Sequence, residues 1–165
     1  MPKEVVTTFT RAGFLSGVQR TLPLGVGSFI FAAVFGVSAR LANLSPLEAI
    51  LMSVLVFAGA AQFIAIELWT SPLPVFTLIF TTLIVNLRHI LMGAALRPWL
   101  ERIHPLKVYG SLFFLTDETW ALALKEFKEG KRDAAFILGS GLILFPCWVG
   151  GTALGVTAGA SLSAG

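Results

Sequence analysis

The sequence predicts an all-α, polytopic membrane protein, and three observations carry that prediction. Apolar residues make up 56% of the 165-residue chain and charged residues 13%, about half the charged share of an ordinary soluble domain. Apolar stretches of about 20 residues recur, each long enough to cross a hydrocarbon core of ~30 Å as a helix. The Lys and Arg residues flank these stretches, which is the pattern of membrane topology and not the basic stripe of a nucleic-acid surface.

Five such segments follow one another: 22–42, 47–69, 73–96, 108–124 and 134–158. Little is left over for a soluble domain, so residues 1–165 read as one integral membrane unit with its bundle at 22–158. Ahead of the bundle, residues 5–20 mix Val5, Val6, Phe9, Ala12 and Leu15 with Arg11 and Arg20. That mixture predicts an interfacial N-terminal segment over 1–21. No small-residue cleavage site follows a short apolar core, so this is not a signal peptide. At the start of the first segment, Pro23, Gly25 and Gly27 allow either an unwound stretch that faces a ligand or an ordinary helix start.

The basic residues conflict with five full crossings. The stretch 97–107 holds Arg97, Arg102 and Lys107, and 125–133 holds Lys125, Lys128, Lys131 and Arg132, yet five crossings would put them on opposite sides. The fourth segment is the weak point. Its centre, "LTDETWAL", places Asp117 and Glu118 where the bilayer would be, and each acid at a helix centre opposes insertion by about 2.5–3.5 kcal/mol. The same residues suit a helix start, with Asp117 as N-cap and Glu118 in the first turn, while Lys125 and Lys128 suit its last turn. The segment 108–124 is therefore expected to be broken or re-entrant, with an apolar half over 108–115 and a helix over 118–129. Its acidic pair is then expected to be buried in protein or to line a watery cavity.

Polar residues elsewhere in the apolar segments are the candidate site. Gln62 lies near the end of the second segment, either as a hydrogen-bonding strut between helices or as a ligand contact. Glu67, close to Trp69, reads as interfacial. In "NLRHILMG", Asn86 and His89 are three residues apart and share a face that Gly93 continues. His89 titrates nearest physiological pH and is the candidate proton carrier. Arg88 is the sixteenth residue of a segment starting at Leu73, about 22 Å in and within ~8 Å of the far face, so spacing alone also allows a snorkelling anchor. Gly151, Gly155 and Gly159 recur at four-residue spacing in the last segment and predict a close helix–helix contact. Cys147, the only cysteine, reads as a packing residue. His89, His104 and Cys147 lack metal-ligand spacing, and no metal or cofactor is expected.

Three stretches in order, "LSPLEAILMSVLVFAGAAQFIA" (44–65), "VNLRHILMGAALRPWL" (85–100) and "LTDETWAL" (115–122), resemble the AzlC family of branched-chain amino acid exporters. The resemblance implies a multi-pass permease of the bacterial cytoplasmic (inner) membrane that exports valine, leucine, isoleucine and in some members methionine. It implies drive by the proton gradient and a small AzlD-type membrane partner. Ser28, Phe29 and Ile30 stand where the family usually has Pro-Phe-Gly. The site this suggests has Asp117 or Glu118 meeting the substrate ammonium. Arg88 or the helix start at 117–118 meets its carboxylate, with Gln62 and Asn86 beside them. His89, Asp117 and Glu118 are the candidate proton-coupling groups. A non-transporting assembly or channel-like subunit is the alternative. An enzyme is not expected: an intramembrane aspartyl protease needs a second aspartate, and the other one, Asp133, lies in a charged loop, while Ser140 and His89 lack further support for a serine type.

Overall fold

The computed structural model describes residues 7–162, so Lys3, Val5 and Val6 of the expected interfacial segment lie outside the described residues. Eight helices are present among the described residues: α1 (Arg11–Leu41), α2 (Pro46–Leu55), α3 (Gly59–Glu67), α4 (Val75–Asn86), α5 (Arg88–Leu100), α6 (Pro105–Phe113), α7 (Asp117–Lys128) and α8 (Ala135–Leu162). Helices make up the chain's regular structure, as the all-α prediction requires. Three helical stretches are long and apolar enough to cross a membrane: Arg11–Leu41, Val75–Leu100 and Ala135–Ala160. The other two apolar segments are each broken into a pair of short helices.

The backbone packs into two compact units, Met1–Leu24 with His89–Leu144, and Gly25–Arg88 with Phe145–Gly165. The first, below called the basic unit, holds α5, α6, α7 and the beginnings of α1 and α8. Its fourth apolar segment doubles back. Lys107, at the start of α6, places its ammonium 5.0 Å from the centre of the Phe9 ring. After α7 the chain returns to the same neighbourhood, where the Thr8 amide donates to the Arg132 carbonyl at 2.7 Å. Between these points the α6–α7 break lies further along α8: a Cβ on Gly141 would stand 2.4 Å from the Phe114 carbonyl oxygen. Both ends of the hairpin thus lie beside residues 8–9, and both basic stretches, 97–107 and 125–133, belong to one end of this unit. The charge conflict of five full crossings disappears.

The start of α7 differs from the sequence expectation in two respects. Thr116, not Asp117, is the N-cap of α7: its hydroxyl accepts from the Thr119 amide at 3.3 Å, and the Thr119 hydroxyl accepts from the Thr116 amide at 2.8 Å. This reciprocal pair satisfies two groups that a buried helix start would leave orphaned. Asp117 and Glu118 fall in the first turn and are exposed on the protein surface, not buried. Acids there still favour the helix N-terminus through its dipole.

The second unit, the neutral unit, holds the later part of α1, then α2, α3, α4 and the later part of α8. Its second apolar segment is also broken, which the sequence reading did not foresee. Ser53 and Gln62 are nine residues apart, yet the Gln62 amide donates to the Ser53 hydroxyl at 3.0 Å. Nine residues of straight helix would separate them by about 13 Å, so the chain turns back at Val56–Ala58. Phe57 takes a left-handed conformation there, with φ 45°.

The two hairpins follow one plan. "LANLSPLEA" ends α1 and starts α2, and "LERIHPLKV" ends α5 and starts α6, with Pro46 and Pro105 59 residues apart. Each short helix begins with a side-chain cap, from Ser45 and from His104, followed by proline at its first position, where its missing N–H costs nothing. Each runs about ten residues, breaks for three, and resumes.

Helices α1 and α8 lie side by side and parallel within each unit. In the basic unit a Cβ on Gly17 would stand 2.2 Å from the Phe136 carbonyl oxygen, and one on Gly139 2.0 Å from that of Phe14. In the neutral unit a Cβ on Gly151 would stand 2.2 Å from the Phe29 oxygen, one on Gly155 2.0 Å from the Ala33 oxygen, and one on Gly159 2.9 Å from the Arg40 side chain. Helix α1 begins at Arg11, so residues 11–20 are its first turns and not a separate interfacial helix. Pro23, Gly25 and Gly27 lie inside it, which removes the unwound stretch considered from the sequence. The span Val75–Leu100 is different: only 6% of its most apolar window is buried, against 44% for α8, because α4 buries no residue while Met92, Leu96, Trp99 and Leu100 at the far end of α5 do.

Candidate functional site

In the neutral unit, four side chains from three elements form a buried polar chain. Trp148 on α8 donates its indole N–H to the Gln62 side-chain oxygen at 3.0 Å. Because an indole nitrogen only donates, the Gln62 atom facing it must be the carbonyl oxygen. Its amide nitrogen then donates to Ser53, and Ser53 shares a 2.8 Å hydrogen bond with Thr152. Ser53, Gln62 and Thr152 are essentially inaccessible to solvent. Unpaired, each such group would cost about 1–3 kcal/mol; paired, they tie the tip of the α2–α3 hairpin to α8.

Aromatic rings close one side of this chain. Phe35 stacks on Trp148 at 6.3 Å between centroids, and Phe31 and Phe63 lie against each other at 4.9 Å beside it. Trp148 fits because Gly59 has no side chain: a Cβ there would stand 2.7 Å from the indole ring. On the other side lies a cavity of about 190 Å³ lined by Met52, Val56, Ala61, Gln62, Ala65, Trp69, Leu78 and Thr82. Its wall is apolar apart from Gln62 and Thr82. Gln62 retains a second amide N–H and a second lone pair, so a small apolar ligand with one polar end would meet both kinds of surface.

The remaining sequence candidates divide between the units. Asn86, the last residue of α4, and Arg88, the first of α5, belong to the neutral unit, while His89, Asp117 and Glu118 belong to the basic one. Asn86, Arg88 and His89 are half-buried, where the helical stretch is interrupted at Leu87. Arg88 is the fourteenth of the 26 residues of Val75–Leu100, about 18–20 Å from either end. A Cβ on Gly93 would meet nothing within 4 Å, so the glycine leaves open space beside the helix. Glu67 is exposed, and Cys147 packs so that a Cβ on Gly25 would lie 3.0 Å from its sulfur.

Sequence reasoning missed a buried acid. Glu126 in α7 is 4% exposed and is paired with Arg20 of α1 and with Lys131, the latter at 2.8 Å. Lys131 also bonds Glu129 at 3.0 Å. The hydrogen bond from Lys131, then its charge, holds the Glu129 carboxyl below its ordinary value. The bonds to Glu126, then Glu129, hold the Lys131 ammonium above its own. Asp133 completes the base of the hairpin. Its carboxylate accepts from the Thr10 amide before α1 and the Ala135 amide at the start of α8, both at 3.1 Å.

Two broken-helix hairpins, three helical stretches of membrane-spanning length and a buried polar chain beside an apolar cavity define an all-α membrane protein. The family profile described as AzlC protein matches residues 23–162, and the chain belongs to the AzlC family. It is 39% identical over 151 residues to a membrane protein of Archaeoglobus fulgidus, an alignment covering 92% of this chain and 65% of that one. It is 29% identical over 157 residues to the inner membrane protein YgaZ of Escherichia coli, covering 93% and 64%. It is 26% identical over 145 residues to the branched-chain amino acid transport protein AzlC of Bacillus subtilis, covering 87% and 57%. The chain thus spans less than two thirds of the length of these relatives. No solved structure matches it.

Proposed function

We propose that the chain forms part of a secondary transporter that exports branched-chain amino acids, valine, leucine and isoleucine, with methionine as a further substrate. The observation that carries this reading is the Gln62 polar chain bordering a small apolar cavity at a broken helix. Broken helices at which polar groups face a cavity are how many transporters hold a small zwitterion. The aliphatic side chain of the substrate would occupy the cavity, and Gln62 would contact its polar end. Asn86 and Arg88, in the same unit as Gln62, are proposed as further substrate contacts. His89, with Asp117 and Glu118, is proposed to carry the coupled proton. The concentration of Lys and Arg at the end of the basic unit that holds 97–107 and 125–133 supports a cytoplasmic position for that end in a bacterial inner membrane. A small AzlD-type membrane protein is the proposed partner, and the scarcely buried Val75–Leu100 span offers apolar surface for one.

The test is valine counterflow in proteoliposomes containing the protein together with the AzlD-type partner. The reading expects flux that competes with leucine and isoleucine, is lost in Gln62→Ala, and loses its dependence on a pH gradient in His89→Ala. Absence of flux in the wild-type pair, or unchanged flux in Gln62→Ala and Asp117→Asn, would favour the alternative of a non-transporting assembly subunit.

A further inference from the structure

The outward face of α7 is not used by any of the roles above. It carries a groove of about 390 Å³ lined by Trp120, Ala121, Leu124, Lys125, Lys128 and Glu129. Helical spacing sets these residues on one face, and their chemistry changes along it. Trp120, Ala121 and Leu124 lie toward the hairpin tip, and the two lysines lie at the last turn, at the end of the unit that also holds the basic stretches. Glu129 does not cancel both lysines. Its carboxylate is bonded to Lys131 at 3.0 Å and reaches Lys125 only at 3.9 Å. Lys125 keeps 69% of its side chain exposed. Glu126, the other acid nearby, is turned inward to Arg20 and Lys131.

We infer that this groove binds an anionic phospholipid, with its phosphate at Lys125 and Lys128 and an acyl chain along Leu124, Ala121 and the Trp120 ring. The direction of the polarity decides between occupants. A membrane helix of a partner would meet two ammonium groups and a carboxylate at one end of an otherwise apolar strip. A phospholipid presents a phosphate at that depth and hydrocarbon below it. Lysines near the surface of an anionic leaflet attract headgroups in this way, their stems lying along the apolar surface. The inference is independent of what the protein transports.

Native mass spectrometry of the full chain, delipidated in detergent and titrated with dioleoyl phosphatidylglycerol or dioleoyl phosphatidylcholine, tests it. Phosphatidylglycerol adducts should dominate, falling about fivefold in Lys125→Gln or Lys128→Gln and roughly 25-fold in the double variant. The double arginine variant should keep them, which separates lost charge from lost folding. Arg97→Gln with Arg102→Gln, at the same end but off the groove, should change little. Equal retention of the two lipids, wild-type retention in the double glutamine variant, or an equal loss in the Arg97/Arg102 control would overturn the site. Displacement of the lipid by millimolar glycerol 3-phosphate would overturn it as well, since a free phosphate would then suffice.

Discussion

The two hairpins share a plan and differ in how they are held. The α2–α3 hairpin is held at its tip, through neutral hydrogen bonds that run Trp148 to Gln62 to Ser53 to Thr152. The α6–α7 hairpin is held at its base, where Glu126 meets Arg20 and Lys131, Asp133 ties the starts of α1 and α8, and Thr8 pairs with Arg132. Even the seats on α8 are reversed. At one tip the hairpin supplies the glycine, Gly59, and α8 the bulky Trp148; at the other α8 supplies Gly141 and the hairpin the bulky Phe114. Charges are inexpensive where water reaches and costly in hydrocarbon. A fastening deep in the fold therefore uses neutral donors and acceptors, and one at the water-facing end uses ions.

That contrast breaks most severely at the glycine seats. Gly141→Val places a Cβ 2.4 Å from the backbone oxygen of Phe114, an atom that cannot swing away. It should destabilise the fold by more than about 3 kcal/mol, seen as loss of monodisperse protein and a large drop in melting temperature. Gly110→Ala, in the same hairpin but with nothing within 4 Å, should instead be neutral or gain a few tenths to about 1 kcal/mol from helix propensity. Next in size is Gln62→Leu. It leaves the Trp148 N–H without its acceptor and Ser53 without its donor, at about 2–3 kcal/mol. It should also shift Trp fluorescence, whereas an equivalent polar deletion at the exposed Glu118 should not.

Glu126→Gln should cost less, about 1–2 kcal/mol, because Arg20 is 48% exposed and Lys131 41% and both recover water when the pair is lost. Its signature is local: faster amide exchange over 125–134 with that of 46–67 unchanged. The smallest expected effect is of pH on the same loop. Glu129 has a lowered value, so its contribution is present above the ordinary carboxylate range, near 4.3, and fades as pH falls through the lowered value. Lys131 has a raised value, so its contribution is complete below the ordinary lysine range, near 10.4, and fades as pH rises through the raised value. Amide exchange of the loop should be slowest between those limits and become less sensitive to acid in Glu129→Gln, with Glu126 and Asp133 still holding it. Both side chains are exposed, so high salt should flatten the profile.

The difference between the hairpins also explains what the sequence revealed. The α6–α7 break was legible because Asp117 and Glu118 cannot sit at a bilayer centre and because the basic stretches refused five crossings. The α2–α3 break contains no charge. Its "VFAG" reads as ordinary apolar helix, and the available signal was the repeat of "LSPLEA" in "IHPLKV". Gln62 stood out as a polar residue in an apolar run. Its partners did not, because Trp148 and Thr152 come from a helix 86 or more residues away and ordinary membrane sequences contain both types. Glu126 looked like one charge among many at a helix end; only the approach of Arg20 from α1 makes it a buried acid. Pro23 and its glycines suggested an unwound start, but α1 runs through them, and interior prolines are tolerated in membrane helices.

If the fourth apolar segment doubles back, its two flanking loops face the same side of the membrane. Single cysteines at the exposed Glu101 and Glu129, introduced as Glu101→Cys and Glu129→Cys on a Cys147→Ala background, measure this directly. Each is labelled with a membrane-impermeant maleimide in right-side-out and inverted membrane vesicles. Both positions should be labelled from the same side, the cytoplasmic one, and protected from the other. Labelling of the two from opposite sides would mean that residues 105–128 cross the membrane, and would contradict the hairpin.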